Sequence, residues 1–140
     1  MPEPKMNLEP YSDAVSEILG APGQLLIGGE YVGSRSGETL SVIDPSSGSE
    51  VALIACATAD DVAEAVRAAK RCAEDESWTR MAPEKREALI HKLADAIERN
   101  ANVLAELESL DVGMPIGVAQ FLISSSVSSL RYMAGWPSKI

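Results

Sequence analysis

The hydrophobic period of this chain changes at Thr58, and that change constrains the fold more than any other feature. From Leu25 to Thr58 the period is two, in the runs LLIGGEYV, TLSVI and EVALIACAT, which the turn-rich stretches GSRSGE and DPSSGS separate. Alternation of this kind reads as strands joined by tight turns. Asp44, Pro45 and Gly48 give the second turn its chemistry, since Asp initiates turns, Pro presets φ and Gly tolerates positive φ. Two or three strands cannot bury both faces by themselves, and an isolated hairpin is marginal in water. They need something to pack on.

After Thr58 the period is 3.6. Thr58 and Asp61 make a helix start, the acid favouring the positive end of the helix dipole, and Val62, Ala65, Val66, Ala69 and Ala73 then fall on one narrow stripe. The segment DESWTRMAP breaks the pattern. Pro83 opens a second helix in a first-turn position, with Leu89, Leu93, Ala96 and Ile97 on one side and Ile90 and Ala94 widening the stripe. Near Asn100 this helix ends or kinks, and Val103, Leu104, Leu107 and Leu110 continue as a third segment. Its stop is ESLDVGMP, where Gly113 suits a left-handed position and Pro115 cannot continue the ladder. From about Val118 to Tyr132, residues Val118, Phe121, Leu122, Val127, Leu130 and Met133 fit one more helix, although Ser124, Ser125, Ser126, Ser128 and Ser129 lower its propensity. The expected arrangement is α+β: hairpin strands followed by about four helical segments.

Charge bears on partners. A formal net charge of −9, from 12 basic and 21 acidic residues with no basic run longer than two, argues against nucleic acid. The longest apolar run, VALIACATA, is far too short to span a bilayer, and the first residues carry scattered acids with no apolar signal core. These features predict a soluble, cytoplasmic protein without membrane or nucleic-acid partners. The two cysteines, Cys56 and Cys72, lie in apolar patterns that suggest buried structural thiols, with no metal-binding or redox spacing. His91, the single histidine, reads as a surface or half-buried helix residue rather than a base.

Asp111 poses a question. A carboxylate in the last turn of a helix opposes the macrodipole, at a cost of roughly 0.3 to 1 kcal/mol where it is exposed. Either water solvates the acid, or something positive or rich in donors lies at that helix end.

In their order, these segments resemble the N-terminal part of the NAD(P)-dependent aldehyde dehydrogenase superfamily, from about Leu25 to Ile140. The family's I-N-G-E-W opening corresponds to Ile27, Gly28, Gly29, Glu30 and Tyr31, and its V-I-N-P-A-T-G-E turn to Val42 through Glu50. Its W-S-R-M junction matches Trp78 to Met81, and its L-A-D-L-I-E helix matches Leu93 to Glu98. The E-T-L-D-N-G-K-P stop and the R-Y-Y-A-G-W segment correspond to ESLDVGMP and RYMAGW. Each motif alone is weak; six in the right order are specific. Departures are Val112 and Met114 in the helix stop, an extra serine in DPSSGSE, and Pro137 after Trp136.

The resemblance implies an α/β family fold (aldehyde dehydrogenase-like) of which this chain is an N-terminal α+β fragment. Residues 1–24 would be an N-terminal extension, and residues 25–140 an incomplete part of the discontinuous cofactor-binding domain. It implies NAD or NADP as cofactor and oxidation of an aldehyde to a carboxylic acid through a Cys thiohemiacetal and thioester. The family's dinucleotide loop, ribose-holding Lys and Glu, base Glu and nucleophilic Cys have no counterpart in these 140 residues. No catalytic or cofactor-binding residue is therefore assigned, and the chain alone is expected to be inactive and to bind no dinucleotide. Implied partners are the remainder of the polypeptide, the aldehyde substrate and, as is typical of the family, further copies in a homo-oligomer. The resemblance further implies a monovalent cation site at Asp111 with the main-chain carbonyls of Val42 and Ile43, and an aldehyde-entrance position for Leu122, Ser125 and Ser126. The alternative is a truncated or repurposed stand-alone interaction module without enzymatic activity.

Overall fold

A computed structural model describes residues 11–139, which divide between Asp75 and Glu76 into two units. The first unit contains four strands and two helices. Helix α1 (Asp13–Leu19) packs on the strand Glu50–Ala55, and its Val15 is fully buried. No periodicity in the sequence had marked this helix.

The run LLIGGEYV is a hairpin rather than one strand. Strands β1 (Leu25–Ile27) and β2 (Glu30–Val32) pair antiparallel with Leu26 opposite Tyr31. Gly28 and Gly29 form the turn at φ of 64° and 89°, so both central residues are left-handed, as a type I′ hairpin turn requires. Strands β3 (Thr39–Ile43) and β4 (Glu50–Ala55) form a second antiparallel pair. Its register shifts between Val42 and Ile43: Val42 faces Ala52 and Ile43 faces Glu50, so Val51 is the extra residue of a bulge. Val51 and Ala52 are buried. The expected two or three strands are thus four, in two separate sheets.

The turn between β3 and β4 is closed by Asp44. Its backbone bonds Ser49 and Gly48, and its carboxylate accepts from the Ser46 N–H at 2.8 Å and from the Ser46 and Ser47 hydroxyls. Gly48 has φ of 71°. Gly23 bridges to β4, donating to the Leu53 carbonyl and accepting from the Ala55 N–H; a Cβ there would lie 3.2 Å from Ile54 Cγ2.

Helix α2 (Ala59–Glu74) starts where expected. Its rotation differs from the expected stripe. Asp61 is buried, and Ala65 and Ala68 are half-buried toward β1, whereas Val62 and Val66 are 53% and 62% exposed and Ala69 and Ala73 are exposed as well. The cause is Asp61, whose carboxylate is engaged by its own helix cap and by Arg35, which turns the 61, 65, 68 face inward. Cys72 lies beyond this covered stretch and is exposed, not buried; Cys56 is half-buried.

In the second unit, DESWTRMAP contains a single helical turn, α3 (Glu76–Thr79). Arg86 donates to the carbonyls of Trp78 at 2.8 Å and Thr79 at 3.1 Å while its guanidinium lies over the Trp78 ring. Helix α4 (Pro83–Arg99) begins at Pro83 as expected, and Asn100 separates it from α5 (Ala101–Val112). Helix α6 (Ile116–Ala134) extends the expected segment at both ends and packs against α4 and α5. The seams are lined by fully buried Ala94, Ala105, Ala119 and Ala134, with Leu110 and Val127 also buried. Small side chains allow helix backbones to approach closely, so Ile90, Ala94 and Ile97 face inward while Leu89 and Leu93 stay exposed. Arg131 ties α6 to α4 through Glu98 at 2.6 Å and Asp95 at 3.0 Å, and these two carboxylates raise the guanidinium pKa, Glu98 most. No helix among the described residues is long and apolar enough to cross a membrane.

Candidate functional site

Helix α6 carries the strongest site feature. Leu122, Ser125 and Ser126, the expected substrate positions, line one depression of about 320 Å³ together with Ser129, Leu130 and Met133. These six lie at offsets 0, 3, 4, 7, 8 and 11, one flank of a helix with 3.6 residues per turn. Sequence reasoning missed Ser129, Leu130 and Met133 as lining residues, although that spacing from Leu122 could have found them.

Two serine hydroxyls are spent within the helix: Ser126 Oγ donates to the Leu122 carbonyl at 2.9 Å and Ser128 Oγ to the Ser124 carbonyl at 3.1 Å. This back-bonding satisfies these two hydroxyls locally. The depression is lined by apolar and hydroxyl groups with no ionisable side chain. Chemically it can orient a ligand by shape and hydrogen bonding, and its lining holds no ionisable group to act as a general base for its serine hydroxyls.

The cation positions fall in different units. Asp111 is exposed in the last turn of α5, ahead of Gly113, whose φ of 69° closes the helix in the left-handed conformation. Ser109 Oγ donates to the Met114 carbonyl at 2.7 Å just beyond. Val42 is half-buried and Ile43 is 48% exposed at the end of β3. Among the described residues no group of three His, Cys, Asp or Glu side chains gathers as a metal site. Solvation of the exposed carboxylate is sufficient to account for Asp111 at a helix C-terminus.

A second hollow, about 340 Å³, is lined by Ile27, Val32, Gly33, Arg35, Asp61 and Glu64. Its acids are already engaged. Asp61 accepts from the Thr58 N–H at 2.9 Å, the Thr58 hydroxyl at 2.8 Å and the Arg35 N–H at 3.2 Å, and its other oxygen is 3.2 Å from Arg35 Nε. The Thr58 N–H is the largest of the effects that hold the Asp61 carboxyl below the ordinary range against the opposing effect of burial. Glu64 is lowered likewise by Arg67 and then Arg71.

These residues also bear on anion binding at the start of α2. A pyrophosphate is commonly held by the free N–H groups at a helix N-terminus that follows a strand. Here that helix is α2 after β4, and the Asp61 carboxylate and Thr58 hydroxyl occupy its start. A phosphate would meet a negative charge at the start of α2. His91 is half-buried on α4, its Nε2 3.9 Å from Glu87 Oε1, and both cysteines lie in the first unit.

Comparison with known proteins places this architecture. Residues 31–140 match the model of the aldehyde dehydrogenase family. The phenylacetaldehyde dehydrogenase of Pseudomonas fluorescens is 36% identical over 123 residues, covering 87% of this chain and 24% of that protein. The cytosolic 10-formyltetrahydrofolate dehydrogenase of Mus musculus is 37% identical over 87% of this chain and 14% of its own length. The NAD+ complex of an aldehyde dehydrogenase from Bacillus cereus superposes with a TM-score of 0.88 at 37% identity, over 93% of this chain and 27% of that one. The chain therefore spans about a quarter or less of the length of these relatives. With strands, helix starts and helix stop all in the order of the family's N-terminal segment, the chain belongs to the aldehyde dehydrogenase family.

Proposed function

We propose that this chain acts as the N-terminal portion of an NAD(P)-dependent aldehyde dehydrogenase, which oxidises an aldehyde to a carboxylic acid. The observation that supports this most is the close superposition, at 37% identity, on about a quarter of an aldehyde dehydrogenase solved as its NAD+ complex. In this reading the chain contributes scaffold and substrate approach, while nucleophile, base and dinucleotide cradle come from other sequence. Nucleophilic attack and hydride transfer need groups held in fixed geometry with the cofactor.

Leu122, Ser125 and Ser126 would border the aldehyde's path, with Ser129 and Met133 extending the same wall. Asp111 would offer a carboxylate to a monovalent cation, and its removal in the Asp111→Asn variant of the larger enzyme would be read as weaker potassium-dependent stabilisation. Bound nicotinamide would supply the hydride acceptor.

The test is an assay of reduced nicotinamide formation from NAD+ or NADP+ with a panel of aldehydes. The 140-residue chain should give none, and the native polypeptide that contains it, captured from its source, should give aldehyde-dependent reduction. Activity from the 140 residues alone, or an inactive native polypeptide, would overturn the proposal.

A further inference from the structure

We draw no further inference here: the strongest candidate, the uncharged outer face of α6 with exposed Val118, Phe121, Tyr132 and Met133 beside the serine-lined depression, is an unpartnered apolar face, and nothing in the structure shows what covers it.

Discussion

Replacing Thr58 with Ala tests whether the start of α2 is held by side-chain chemistry or merely by packing. Thr58 and Asp61 form a reciprocal capping box: the Asp61 N–H donates to Thr58 Oγ1 at 3.3 Å, and the Thr58 N–H donates to Asp61 Oδ2 at 2.9 Å. The alanine variant loses the first bond and the hydroxyl's own 2.8 Å bond to the same carboxylate, but keeps the second. Loss of a Thr cap costs about 0.5 to 2 kcal/mol. Because the lost N–H bond is long and the backbone half of the box survives, a value near the middle, about 1 kcal/mol, is expected. Native-state hydrogen exchange reads this directly. Amides in the first turns of α2 should exchange about fivefold faster, the factor that about 1 kcal/mol represents. Thr58→Ser, which keeps the oxygen, should exchange like the parent. Unchanged protection in Thr58→Ala would refute the capping argument, and equal losses in both variants would assign the effect to the threonine methyl.

Acid should weaken the first unit through two carboxylates. Asp44 is held below the ordinary range, first by the Ser47 hydroxyl and then by Ser46, and Asp61 first by the Thr58 N–H. A folded pKa below the unfolded value of about 3.9 means that the stability each contributes is complete above that value and is lost as pH falls through the lowered folded pKa. Denaturant titrations from pH 6 downward should show this loss, with a shallower acid dependence in Asp44→Asn; a slope identical to the parent would remove Asp44 from the acid-sensitive set. At the C-terminus of α5, Gly113→Ala places a Cβ on a residue at φ of 69° and should cost about 1 to 2 kcal/mol. Thermal unfolding that left the transition in place would show that the left-handed closure is not required.

Local chemistry was legible in the sequence, and tertiary choices were not. Thr58, Pro83, Asn100 and Gly113 mark their boundaries because each acts on backbone groups within a few residues. Gly28 and Gly29 carry an equally local signal, since paired glycines suit a two-residue hairpin, yet the apolar residues around them read as one strand. The rotation of α2 lay out of reach, because it depends on Arg35, 26 residues before Asp61, engaging that carboxylate. Cys72 followed the same error: a helical apolar pattern does not say how far along the helix its cover extends. Helix α1 is too short for periodicity to reveal, and its place rests on Val15 meeting the β4 layer. For the candidate site, the helical spacing of Leu122, Ser125 and Ser126 already placed them on one flank, and the same spacing contained Ser129 and Met133. The engagement of Ser126 by a carbonyl within its own helix needed coordinates.

Large apolar side chains remain exposed in both units, among them Tyr31 at 72% and Phe121 at 69%, as expected of faces that further protein covers. The most direct measurement is the mass of the native polypeptide carrying this sequence, detected with an antibody against residues 59–112 and read by intact mass spectrometry. Work as part of an aldehyde dehydrogenase predicts a species several times heavier than the 14.8 kDa of these 140 residues. A native species of 14.8 kDa that is monomeric and unfolds in one cooperative transition would contradict it.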